Sequence, residues 1–213
     1  MTLSLTLIII IITCVISFTA FSNSKIYSDL IFYPPAIAHH NQWYRFVTCG
    51  LIHADLGHLA FNMFSLYLFG DLVEEAFNMI FGPRGKIIYL AMYVLALIIC
   101  LVPTYLKNKN NEYYRSLGAS GAVSAVVFAG IFLQPLNKIG LFFIPPVIPG
   151  FIFGPIYLGL TAYMSKRGGD NINHSAHFWG AVFGVAYLIV TCYFLSDYKP
   201  VQNFINQVSG YFG

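Results

Sequence analysis

The sequence predicts an all-α membrane protein, with six transmembrane helices in a single domain spanning 1–213 and an interfacial first loop. Three observations lead there. Of 213 residues, 58% are hydrophobic and only 9% charged, with mean hydropathy +0.70, whereas soluble domains carry roughly 25% charged residues. The apolar residues gather in runs long enough to cross a bilayer. The runs are punctuated by Gly, Pro, Trp and Tyr, the residues of turns and of the membrane–water interface. The net charge of +3 is small and scattered, which argues against a nucleic-acid partner. Cys14, Cys49, Cys100 and Cys192 are far apart and form no Cys-x-x-Cys pair, so they read as small core residues. No internal repeat or low-complexity tract is present.

The first run, Leu3 to about Phe21, has no charge and no Lys or Arg before it, unlike a signal peptide, and reads as a retained helix. Residues 22–55 follow, with Pro34, Pro35, His39, His40 and Trp43-Tyr44-Arg45. Their aromatic content predicts a segment lying at the interface. The second span runs from about Leu56 to Phe77, and Phe81-Gly82-Pro83-Arg84-Gly85-Lys86 makes a turn. The third covers about Ile87 to Leu106, before the polar stretch Lys107 to Ser116. The fifth, about Ile139 to Met164, contains Pro145, Pro146, Pro149 and Pro155; the sixth is about Ser175 to Leu195, before a short, partly polar tail.

The fourth run, Leu117 to Leu133, is the informative one. A helix of about 16 residues covers ~24 Å, less than the ~30 Å of hydrocarbon. One end must therefore sit below the membrane surface, beside protein or a water-filled cavity. Ser120 lies at its N-terminal end.

Gly118-Ala119-Ser120-Gly121 surrounds that hydroxyl with small residues at a helix start, where free N–H groups favour a developing anion. Such a setting suits a nucleophile. The pattern alone is more often packing, since Gly121, Ala125 and Ala129 recur at i+4. His177, Gly180 and Gly184 share one face of the sixth helix, so a face built for close approach also carries an imidazole. If the fourth helix is the neighbour, His177 can reach Ser120 as general base; His174 is nearer the loop. A third cluster is His53-Ala54-Asp55-Leu56-Gly57-His58-Leu59-Ala60-Phe61-Asn62, in which His58 and Asn62 stand at i, i+4 on the second helix. Both can donate hydrogen bonds to an oxyanion, or simply join helices. His53, His58, His174 and His177 could also hold a metal, but no carboxylate or cysteine completes such a site.

Taken together, His53-x-x-x-x-His58-x-x-x-Asn62, Gly-x-Ser-Gly at 118–121 and Ala176-His177-x-x-Gly180-x-x-x-Gly184 resemble the rhomboid protease pattern, in order, on helices two, four and six. The resemblance covers nearly the whole chain and implies a rhomboid-like bundle. It implies an intramembrane serine endopeptidase that cleaves transmembrane protein substrates in the lipid bilayer, without cofactor, metal or nucleic acid. Ser120 would attack and His177 take its proton; His58, Asn62 and the Ser120 N–H would hold the oxyanion. His53, Gly118, Gly121, Gly180 and Gly184 would support the site. Tyr44-Arg45 resembles the family's Trp-Arg element, with Trp43 one place earlier, and Glu74 resembles a structural glutamate of the second helix.

Ser124 departs from the pattern, since the family often has an aromatic there, packed on the base. The eight acidic residues, Asp29, Asp55, Asp71, Glu74, Glu75, Glu112, Asp170 and Asp197, lie in loops or near helix ends, so a Ser-His dyad is expected rather than a triad. The resemblance implies a multi-pass protein of the cell inner membrane with a cytoplasmic N-terminus. That topology leaves Arg84, Lys86, Lys138 and Lys199 inside against Lys25, Arg45, Lys107, Lys109, Arg115, Lys166 and Arg167 outside, opposite to the positive-inside tendency. The competing readings are a non-catalytic rhomboid-like binder of membrane helices and a small transporter. The latter is disfavoured by the lack of paired charges in the spans and of an inverted repeat.

Overall fold

The computed structural model describes residues 3–141, 144–169 and 172–213; Asp170, among the acidic residues considered above, lies outside them. The chain is mostly helical. Helix α1 (Leu5–Ser22) is followed by the short α2 (Ser24–Leu30), α3 (Pro34–His40) and α4 (Arg45–Thr48) of the first loop. Then come α5 (Leu56–Phe81), α6 (Gly85–Ile99), α7 (Val102–Asn108) and α8 (Ser120–Leu133). A hairpin of β1 (Lys138–Leu141) and β2 (Ile144–Pro149) leads to α9 (Gly150–Arg167), α10 (His174–Leu195) and α11 (Pro200–Phe212). The long helices α1, α5, α6, α8, α9 and α10 fall on the six apolar runs. Leu5–Ser22, His174–Leu195 and a stretch within Leu56–Asn108 are long and apolar enough to cross a membrane. The chain is an integral membrane protein whose helices form a rhomboid-like bundle.

At the centre stands α8, which packs on α5, α6, α9, α10 and α11. Its 14 residues, ~21 Å of helix, bury all but Ser120, Val127 and Phe132. The shortfall at its far end is filled by protein. The Gly150 N–H donates to Asn137 O and the Phe151 N–H to Pro135 O. Gln207 of α11 donates to the Leu133 carbonyl at 3.1 Å, and Phe204 stacks on Phe132. The segment read as a short tail is thus a helix that closes the end of the bundle.

The expected fifth helix divides in two. Pro145, Pro146 and Pro149 lie in β2, which pairs antiparallel with β1 through Lys138↔Pro149, Ile139↔Ile148 and Leu141↔Ile144. Proline lacks the N–H a helix interior needs, but an edge strand can leave that position unpaired. Only Pro155 is inside α9. The third run also divides: Pro103 sits in the first turn of α7, where its missing N–H costs nothing.

Polar groups buried in the bundle tie its parts together. Glu74, 3% exposed, accepts from the N–H groups of Leu5 and Thr6 at 2.9 Å and from the Thr6 hydroxyl at 3.0 Å. A carboxylate at a helix N-terminus meets both orphan donors and the positive end of the dipole. This links the start of α1 to the lower part of α5, and Gly70 leaves room for Thr6 and Tyr89 beside it. In the first loop, buried Arg45 donates to Ser28 O, Ile31 O and Gln42 Oε1 at 2.8, 2.7 and 2.6 Å. It thus binds α2 to α4, while Trp43 and Tyr44 stay exposed.

Glu74→Ala is expected to destabilise the protein by about 3 kcal/mol, since it strips a buried carboxylate from two backbone donors. Glu74→Gln should cost less, because one oxygen still accepts. Thermal unfolding in detergent checks both; an alanine variant as stable as wild type would show that α1 does not depend on this cap.

Candidate active site

The crossing of α8 and α10 sets the site. A Cβ on Gly180 would collide with the Gly121 carbonyl, and one on Gly184 with the Ala125 carbonyl. Backbone therefore meets backbone, as small residues at helix interfaces permit. Asn173 starts α10: its side chain accepts from the Ala176 N–H at 3.1 Å and is bonded to Thr104 of α7. The first turn of α10 is thus fixed against α7, and His177 follows one turn later. The Ser120 Oγ lies 2.7 Å from His177 Nε2. His174, buried, has its ring centroid 6.0 Å from that of His177 and stands three residues nearer the loop.

The N-terminus of α8 is shaped by α5 and the loop before it. Gly118 has φ +109, and a Cβ there would stand 2.6 Å from His58 Cε1, so both backbone angle and space require glycine. The Gly118 N–H donates to Cys49 O at 2.9 Å. Asp55 caps α5 by accepting from the His58 N–H at 2.8 Å. The Ala54 N–H points at His58 Nδ1 at 3.5 Å, which leaves the proton of a neutral ring on Nε2, beside Gly118. Asn62, 2% exposed, donates to His58 O at 2.9 Å, and its second amide hydrogen is left for another acceptor. As the first residue of α8, Ser120 has an N–H with no acceptor inside the helix.

His53 is fully buried between α1 and this loop. The Ser17 hydroxyl gives its proton to Leu51 O at 2.9 Å, so it accepts from His53 Nδ1–H at 3.0 Å. His53 Nε2 accepts the Ala119 N–H at 3.4 Å. Burial, aided by the neighbouring His58 and opposed by Asp55, pushes the His53 pKa down to about 3. The neutral ring is therefore a bracket from α1 to the residue before Ser120.

These groups face a cavity of about 960 Å³, large enough for an extended peptide segment. His58 and Asn62 line it from α5, Ser120 from α8, Tyr157 from α9 and His177 from α10. The named site residues thus gather at one place: His58, Asn62, Ser120 and His177 on the cavity, Gly118 and Gly121 beside the serine, Gly180 and Gly184 at the crossing, His53 behind the loop. Among the described residues no group of three His, Cys, Asp or Glu is arranged to hold a metal. Nor does an acidic residue among them hydrogen-bond the His177 ring; its Nδ1 lies 3.4 Å from the Tyr157 hydroxyl. Sequence reasoning did not find Tyr157, which comes from another helix with no local motif. Nor did it find Asn173, although an Asn just before an apolar helix is a readable cap signal.

A family model described as the rhomboid domain matches residues 40–194, a stretch that contains every residue of the site. Among curated proteins, RHOMBOID-like protein 12, mitochondrial, of Arabidopsis thaliana is 31% identical over 150 residues, 63% of this chain and 42% of that protein. Rhomboid-like protein 11, chloroplastic, of the same plant is 29% identical over 157 residues, 67% and 50% of the two chains. Presenilin-associated rhomboid-like protein, mitochondrial, of Homo sapiens is 31% identical over 139 residues, 64% and 35%. The chain spans half or less of the length of these relatives. Their names are mitochondrial or chloroplastic, so the expected cell inner membrane is not supported by them.

The depressed pKa of His53 has a consequence for stability. Below about pH 6.5 the unfolded chain takes up a proton that the folded one refuses until about pH 3. The contribution of His53 is therefore complete above pH 6.5 and is lost as pH falls through that window, by a few kcal/mol at its acid end. Thermal unfolding at pH 7.5, 5.5 and 4 should show a steeper fall for wild type than for His53→Asn. Parallel slopes would mean that His53 is not held neutral.

Proposed function

Because the chain belongs to the rhomboid family, we propose that it is an intramembrane serine endopeptidase acting through a Ser120–His177 dyad. The 2.7 Å approach of Ser120 Oγ to His177 Nε2, on the wall of a large cavity, is the observation that supports this reading. An imidazole at that distance can take the hydroxyl proton as Oγ attacks a scissile carbonyl carbon. The negative charge then develops on the carbonyl oxygen. The Ser120 N–H, the His58 Nε2–H and the remaining Asn62 amide hydrogen are the donors available to it, at the positive end of α8. His177 returns the proton to the leaving amine nitrogen, and the acyl-serine is hydrolysed by water activated by the same ring.

The substrates we infer are transmembrane proteins, reaching the serine from the side. The α9 helix buries only Gly150, Gly154 and Thr161, against the nearly complete burial of α8. The main cavity is lined by Phe61, Phe64 and Leu68 of α5 and by Phe153 and Tyr157 of α9, and Phe64, Leu68 and Phe69 with Ile139 and Gly140 of β1 line both it and a second hollow of about 430 Å³. An apolar substrate helix entering there would stay in contact with apolar side chains until its scissile bond reached Ser120.

Ser120→Ala and His177→Ala are each expected to abolish labelling by a fluorophosphonate and cleavage of a transmembrane substrate in liposomes, with helicity unchanged; His174→Ala should keep substantial activity. A fully active Ser120→Ala protein would refute the dyad, and a wild type that binds membrane helices without labelling or cutting would be a non-catalytic binder. Asn62→Ala should lower kcat by up to ~100-fold with less change in KM, since two oxyanion donors remain; a pure KM effect would place Asn62 in substrate binding. A disulfide joining α5 to α9 should slow cleavage of a transmembrane substrate more than that of a short soluble one and be reversed by reduction. Full-rate cleavage by the locked protein would exclude entry at that gap.

A further inference from the structure

The general base needs something to hold its ring, and α8 does not supply it: Ser124, one turn after the nucleophile, is too small to cover an imidazole. The space is taken by Tyr157 of α9. Its hydroxyl lies 3.4 Å from His177 Nδ1, on the side of the ring where the Ser124 side chain stands. Its ring is fixed by Phe153 on the same helix, with centroids 5.8 Å apart, and by Phe128 of α8 at 5.5 Å. For Nε2 to accept the Ser120 proton, the neutral ring must carry its hydrogen on Nδ1, and the phenol oxygen lies within reach of that hydrogen. The phenol's own hydrogen is then free to point at Ser124 Oγ. Ser120 and Ser124 share one face of α8, so three helices meet around the imidazole: α8 with two hydroxyls, α9 with the phenol and α10 with the ring.

We propose that Tyr157 is a positioning residue for His177, favouring its Nδ1–H tautomer, so that the seating of α9 contributes to alignment of the base. This rests on the protease reading above. The helix that carries Tyr157 is also one with few buried residues, Gly150, Gly154 and Thr161. Displacement of α9 withdraws the phenol from the ring, and its return aligns the dyad again.

Tyr157→Phe tests this on the full chain in detergent, because it keeps the ring that packs on Phe128 and Phe153 and removes only the hydroxyl. Fluorophosphonate labelling of Ser120 should show kinact reduced about 5–10-fold, the worth of one such hydrogen bond, with KI within about twofold. Nitrogen-15 spectra of labelled histidine should show one Nδ1–H tautomer at His177 in wild type, assigned with His177→Ala, and a mixture of tautomers in Y157F. A phenylalanine variant with wild-type kinact, or with an unchanged His177 ring spectrum, overturns the proposal, since ring packing alone would then suffice. A wild type that never labels refutes the protease reading instead, and the two ring spectra still decide whether Tyr157 fixes the imidazole.

Discussion

The close crossing of α8 and α10 is the constraint on which the site depends. Gly180 against the Gly121 carbonyl and Gly184 against the Ala125 carbonyl bring the two backbones together. In a bilayer, where lipid tails compete equally for apolar surface, such close backbone packing is a main source of helix association. It also sets the reach of the side chains one turn further along. His177 meets Ser120 only because the residues beside them are too small to keep the helices apart. A helix of 14 residues can sit at that crossing because both its ends are supplied by protein. The His58–Gly118 contact and the cavity meet its N-terminus, and α11 with the hairpin segment meets its C-terminus.

Polar groups within this apolar chain follow one rule. Each is expensive to bury unless its hydrogen bonds are made, and three of those that are buried join segments distant in sequence. Glu74 ties α1 to α5, Arg45 ties α4 to α2, and His53 ties α1 to the residue before Ser120. The start of α8 is therefore held from behind by His53, which bonds the Ala119 N–H, and met from the front by His177, whose Nε2 lies 2.7 Å from Ser120 Oγ.

Much of this was legible in the sequence. The apolar runs gave the long helices, and the fourth run was already too short for a full crossing, in keeping with the 14 residues of α8. The glycine spacings of α10 and the small residues of α8 indicated the crossing before any contact was known. Other features could not be read so. The prolines between 139 and 155 fit a distorted helix or a hairpin equally well, because periodicity does not separate short apolar strands from helices. The amphipathic α11 was masked by its polar residues, of which Asn203 and Gln207 lie on the side that packs and bond to Tyr198 and the Leu133 carbonyl. Tyr157 is invisible in one dimension, since nothing near it in sequence announces the imidazole 20 residues later. The partners of Glu74, 68 and 69 residues away, are likewise tertiary facts.

In the proposed reaction, the glycine-mediated crossing is what brings the base to Ser120. Mapping the fluorophosphonate adduct by peptide mass spectrometry, in wild type and in Gly184→Leu, tests it most directly. A single adduct on Ser120 is expected in wild type, and its rate should collapse in the leucine variant even where circular dichroism finds the helices intact. Labelling of Ser120 at the wild-type rate in Gly184→Leu, or an adduct on a different residue in wild type, would contradict it.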